Sequence, residues 1–155
     1  GTNLILFGIL MGVADGRPGR RKLFDGITFP DAMTVGFAQA LALIPGVSRS
    51  GVTLTAGLFR NIDRAAAARF SFLLSTPATV AAAAKAFLDF RKAGGMEPGM
   101  ELPFAVGILV SGITGLAVIA FFLNFLRTRN LRVFVIYRVV FGIIVIALAI
   151  LRGPH

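Results

Sequence analysis

The sequence predicts an all-α integral membrane protein with three full transmembrane helices, a truncated N-terminal helix and a re-entrant helical hairpin. Three observations predict it. Of the 155 residues 56% are hydrophobic and only 15% charged, with a mean hydropathy of +0.83, which does not describe a soluble domain of this length. Three apolar stretches are long enough for a ~30 Å hydrocarbon core, which requires ~20 helical residues. Two others are too short to cross it and are joined by a Pro-Gly pair. The chain reads as a single membrane domain, 1–155.

The opening GTNLILFGILMGVADG holds about a dozen apolar residues, roughly half a span, and is expected to be the cut end of a longer helix. A signal peptide is disfavoured because the positive flank lies on the wrong side. Next come Ala32 to Ile44, 13 residues, and Gly51 to Phe59, nine residues. As helices they reach roughly 20 Å and 13 Å at ~1.5 Å per residue, so neither spans. Pro45 and Gly46 argue against one straight helix through both. The expectation is a hairpin over 31–59 that enters and leaves on one side, tolerated where irregular backbone is buried in protein or lines a wet cavity.

Phe70 to Phe90 is the first full span, with Pro77 expected to kink it and Lys85 and Asp89, four apart, expected to pair at the interface. Phe104 to Leu126 carries no charge over 23 residues, and Val133 to Leu151 carries only Arg138 over 19. Gly107, Ser111 and Gly115 form a small-residue stripe that reads as a helix-packing face. Arg138, about two turns into its span, is expected to snorkel to the basic interface, with a functional role as the alternative.

The formal charge of +9, from 16 basic and 7 acidic residues, reads as loop sorting rather than a nucleic-acid surface, since no basic run is interleaved with aromatics. With the hairpin re-entrant, Arg17, Arg20, Arg21, Lys22, Arg60, Arg64, Arg69, Arg127, Arg129 and Arg132 share one face, and only Arg91, Lys92 and Arg152 lie on the other. That ten-to-three bias places the hairpin mouth in the cytoplasm. There is no cysteine, so disulfides and thiolate metal sites are excluded.

Between the short helices lies PGVSRSGVT, Pro45 to Thr53. It places Ser48, Arg49 and Ser50 at the start of the second half-helix, where unpaired N–H groups, hydroxyls and a guanidinium suit an anion such as phosphate. Thr53, one turn on, is expected to face the same pocket. The plainer reading is that Ser48 or Ser50 caps the helix while Arg49 reaches the interface. Bringing an arginine toward the membrane interior at roughly 2.5–3.5 kcal/mol favours function. GVSRSGVT also nearly spells a phosphate-binding loop, but Val52 replaces its lysine and an apolar helix replaces its strand, so a nucleotide site fails.

PGVSRSGVT, together with DAMTVGFAQALALIPGVSRSG, RFSFLLSTPATVAAA and IYRVVFGI, resembles the undecaprenyl-diphosphatase, or bacitracin-resistance, family. The resemblance implies hydrolysis of undecaprenyl diphosphate to undecaprenyl phosphate and phosphate in the bacterial inner membrane, for cell-wall lipid recycling. It implies two inverted repeats with meeting re-entrant hairpins. It also implies that Arg49 clamps the diphosphate, that Ser48 and Thr53 hydrogen-bond it, and that Ser50 with the backbone of Gly46 and Gly51 completes the cradle. A divalent cation, Mg or Ca, is expected from the family, with no metal ligands in this chain.

The family's second signature, an E-x-x-x-E hairpin with a nearby histidine, has no match here. Glu97 and Glu101 have the spacing but sit in the loop GGMEPGMELP, the one histidine is His155, and Asp31 reads better as a helix cap than as a ligand. The chain therefore resembles the second half of a family member, with a missing N-terminal repeat as partner and little activity alone. A homodimer is a further expected partner state. A polyprenyl-phosphate carrier or flippase and a noncatalytic binding subunit are the rival readings. Whether Ser48 attacks phosphorus or only holds it stays open.

Overall fold

A computed structural model describes residues 1–17, 19, 21–92, 94–95 and 99–152. Arg20, Glu97 and His155, named above, lie outside the described residues, as does the side chain of Arg152. Among the described residues six α-helices follow in order: α1 (Thr2–Asp15), α2 (Phe29–Ala40), α3 (Arg49–Phe59), α4 (Arg64–Lys92), α5 (Glu101–Thr128) and α6 (Arg132–Arg152). The last three are long and apolar enough to cross a membrane, and each contains one of the expected spans.

The helix boundaries have local causes. α2 starts at Phe29, earlier than Ala32, because Thr28 and Asp31 form a reciprocal capping box and Pro30 sits in the first turn. α2 tightens into a short 3-10 turn over Leu41–Leu43. The chain then reverses at Ile44 to Val47, closed by a 3.1 Å bond from Val47 N to Ile44 O. Gly46 has φ +85° there, the conformation that the residue after Pro adopts in a type II turn. α4 begins before Phe70 because Ala66, Ala67 and Ala68 are buried where α4 meets α3 at Gly57, at which even one added carbon would lie 2.9 Å from Ala67 Cβ. Pro77 lies inside α4 without ending it.

α1 packs along α6 and α3, α2 packs on α3, and α3 on α4. The α1–α6 seam depends on glycines. A Cβ at Gly8 would meet Arg138 Cβ at 3.2 Å, and one at Gly142 would meet Ile5 Cγ1 at 2.6 Å and Gly1 O at 3.0 Å. The stripe expected to pack, Gly107, Ser111 and Gly115, instead faces open space, with nothing within 4 Å of a Cβ at either glycine. Spacing marks a face that can be approached closely; which face is used depends on helix rotation. Gly142→Val is expected to lower stability by about 2 kcal/mol through overpacking, whereas Gly107→Val should change it by less than about 0.5 kcal/mol. Melting in detergent micelles compares them; equal shifts would refute the assignment of the seam.

The buried core lies at one end of the molecule, where Met11, Leu58, Ile62, Leu126 and Leu131 converge. Edge-to-face contacts of Phe122 with Phe72 at 6.0 Å and with Phe134 at 5.2 Å join α4, α5 and α6. Two buried carboxylates sit at that same end. Asp15 accepts from Arg64 Nε and, at 3.1 Å, from Leu131 N, tying the end of α1 to the start of α4 and the α5–α6 turn. Asp31 accepts from Lys22 Nζ at 2.7 Å, Thr28 N at 3.0 Å, Thr28 Oγ1 at 2.8 Å and Arg60 Nε at 2.8 Å. It is thus a capping and bridging group that joins the start of α2 to the end of α3. Burial pushes this carboxyl up, but the hydrogen bonds from Lys22, Thr28 and Arg60 prevail and hold it well below the usual carboxylate range. Among the described residues Lys85 and Asp89 form no ion pair; both are exposed on α4.

Candidate functional site

The Pro45–Gly46 turn delivers the chain to the N-terminus of α3, where Ser48 is the N-cap and its Oγ accepts from Gly51 N at 3.3 Å. The Ser48 and Ser50 hydroxyls lie 3.4 Å apart, and the side chain of Arg49 is exposed. The turn is pinned to the start of α1, because Asn3 Nδ2 donates to Pro45 O at 2.8 Å. Asn3 is about 18 Å along α1 from Asp15 at ~1.5 Å per residue. The PGVSRSG segment therefore lies well away from the end that holds the buried carboxylates.

Two cavities meet at this helix start. A polar cleft of about 310 Å³ is lined by Arg49, Ser50, Ser71, Phe72 and Ser75. A second cavity, about 250 Å³, is lined by apolar side chains including Met11, Leu54, Val118, Phe122 and Phe134, with Ser50, Gly51, Ser71 and Arg138 among its walls. Ser50, Ser71 and Phe72 line both. Hydroxyls and a guanidinium in a cleft that opens beside an apolar cavity can hold an anionic head attached to an apolar chain.

Of the residues expected here, Arg49, Ser50 and Gly51 reach a cavity wall. Ser48 sits at the cap and Gly46 at the turn, each supporting the loop. Thr53 differs from expectation: it is fully buried. Its hydroxyl bonds Arg49 O at 2.9 Å and lies 2.5 Å from Ser71 Oγ, so it holds the first turn of α3 and orients Ser71 rather than opening on the pocket. The physical reason is that α4 packs on that side of α3.

Arg138 is the larger correction. It does not return to the basic interface. Its guanidinium packs over Gly51, so that a Cβ there would overlap both terminal nitrogens and come within 2.5 Å of Cζ. Ser71 and Ser75 were not among the expected site residues, and Arg138 takes the functional alternative rather than the interfacial position expected for it. The available signals were an intramembrane arginine, which is a functional candidate by default, and two serines at i and i+4 in RFSFLLS, which share a helix face. Asp15 gave no comparable signal.

The cleft does not fit a divalent cation. Its lining offers a guanidinium and hydroxyls with no carboxylate, and among the described residues no group of three or more His, Cys, Asp or Glu is placed to hold a metal ion. Oxygen-ligated cations require carboxylates or carbonyls.

Comparison with known proteins places this geometry in context. A family model described as "Bacitracin resistance protein BacA" matches residues 1–144. An "Undecaprenyl-diphosphatase" of Trichlorobacter lovleyi is 52% identical over 147 residues, 94% of this chain and 53% of that protein. Proteins of the same description from Desulforudis audaxviator and Thermodesulfovibrio yellowstonii are 44% and 47% identical, over 99% and 98% of this chain and 57% and 58% of their own lengths. The chain thus spans about half the length of the curated relatives it matches.

Proposed function

We propose a function that proceeds from one fact: this chain belongs to the bacitracin resistance protein BacA family. It supplies the phosphate-holding part of a membrane hydrolase that converts undecaprenyl diphosphate to undecaprenyl phosphate and inorganic phosphate. The observation that carries this reading is the polar cleft of Arg49, Ser50, Ser71 and Ser75 opening beside an apolar cavity. In the net reaction a water oxygen ends on the terminal phosphorus and the bridging P–O bond breaks. The bridging oxygen leaves with the lipid phosphate, and both water protons stay on the released phosphate. Arg49 and the hydroxyls contribute positioning and neutralisation of charge on the transferred group.

Several finer assignments belong to the same proposal. α2 and α3 form a re-entrant hairpin in the bacterial inner membrane, a reading supported by the ion pair between Arg60 at the end of α3 and Asp31 at the start of α2. The carboxylates that would hold a divalent cation come from sequence beyond these 155 residues, and the uncovered Gly107 to Gly115 face of α5 packs against that remainder. The architecture is one repeat of two.

Arg49→Ala is expected to weaken binding of a polyprenyl diphosphate to the purified chain at least ~tenfold, given the strength of charge-assisted hydrogen bonds. Isothermal titration measures it, and an unchanged affinity would sink the phosphate-holding assignment. The 155-residue chain is expected to bind without turnover. Phosphate release by it, abolished by Arg49→Ala, would overturn that part. If a fusion to the portion of the Trichlorobacter lovleyi protein lacking a counterpart here also binds without hydrolysis, the carrier reading takes its place.

A further inference from the structure

Two arginines line the adjoining cavities, one in each. Arg49 lines the polar cleft, Arg138 lines the apolar cavity, and Ser50 and Ser71 belong to both. Among the described residues neither guanidinium is paired with a carboxylate; Asp15 and Asp31 are taken by Arg21, Lys22, Arg60 and Arg64 at the far end. Two unneutralised cations flanking a pair of hydroxyls match an anion with two charged centres. Because the cavities differ in polarity, only one orientation of an amphiphilic diphosphate buries its apolar chain.

We propose that the diphosphate is held in a fixed polarity. The phosphate that carries the prenyl chain lies against Arg138, the terminal phosphate lies against Arg49 and Ser75, and the bridging oxygen lies at Ser50 and Ser71. The assignment rests on the phosphate-holding reading above and adds the division of labour between the two arginines. Arg138 stays with the leaving lipid phosphate, and Arg49 stays with the phosphoryl group that is transferred.

The test titrates the purified chain with inorganic phosphate and with farnesyl monophosphate. Arg138→Gln is expected to weaken farnesyl monophosphate about tenfold and to leave inorganic phosphate within about twofold, with Arg49→Gln doing the reverse. Equal weakening of both probes by both variants, or the opposite pattern, overturns the fixed polarity. Charge-preserving variants guard against a folding defect. In phosphorus NMR of bound farnesyl diphosphate, Arg138→Lys should move the resonance of the prenyl-linked phosphorus and Arg49→Lys that of the terminal one, and an undivided response overturns the proposal. If neither probe nor the diphosphate binds the parent chain, the phosphate-holding reading fails and the polarity falls with it; if all bind without a divided response, only the polarity falls.

Discussion

Asp31→Ala is expected to destabilise the protein by about 3 kcal/mol, the low end of the range for removing one partner of a buried ion pair. The carboxylate is fully buried, while the side chains of Lys22 and Arg60 are 36% and 41% exposed, so both cations recover hydration once their partner is gone. The Thr28 N–H loses its acceptor and α2 loses its capping box, which adds to the cost. Three segments separate as a result: the loop at Lys22, the start of α2 and the end of α3. Asp31→Asn keeps an acceptor for Thr28 and should lose only part of the stability. The sign of the pH dependence follows from the lowered pKa. The group's ordinary value is 3.8 and its folded value is lower, so its contribution is fully present above the ordinary value and is lost as pH falls through it toward the folded value. Melting in detergent should be flat above about pH 5 and decline below about pH 4, with a shallower decline in Asp31→Asn. A parent-like melting temperature for Asp31→Ala would refute the bridging role.

Much of this arrangement was legible because its causes are local. Helix lengths, the Pro45–Gly46 reversal and the Ser48 cap follow from apolar run length, turn chemistry and a hydroxyl before a helix, none of which needs a neighbour. The start of α2 was legible in principle as well, since TFPD carries the capping pattern that sets it. What the sequence did not reveal depends on how helices rotate against each other. Arg138 points at Gly51 because Gly8 and Gly142 let α1 and α6 meet along one particular face, and no single-helix pattern contains that choice. Thr53 turns toward Ser71 for the same kind of reason: the α3–α4 contact passes through it. The Gly107 stripe and the Gly8–Gly142 seam offer similar small-residue faces, and among the described residues only the second is used.

Gly51→Leu is expected to weaken polyprenyl diphosphate binding by roughly a hundredfold or more, the largest binding effect of any single change, because its side chain displaces the Arg138 guanidinium and enters the cavity that Gly51 lines beside Ser50 and Ser71. Gly51 is helical and has no positive φ, so the glycine is there for space and not for backbone freedom. A Cβ at this position would overlap the Arg138 guanidinium. That group is the far end of a flexible side chain and can swing away, so the first added carbon displaces the cation without breaking the packing. Gly51→Ala should therefore leave the fold intact or raise its stability by about 0.5–1 kcal/mol through helix propensity, while weakening binding about tenfold. The leucine goes further, since its side chain also fills the space shared by Ser50 and Ser71. Titration and melting measured on the same preparations separate the two effects. A structural glycine would lose stability and affinity together, whereas a glycine that makes room for Arg138 and its anion loses affinity alone in the alanine variant. Retained affinity in Gly51→Ala would mean that Arg138 takes no part in holding the anion.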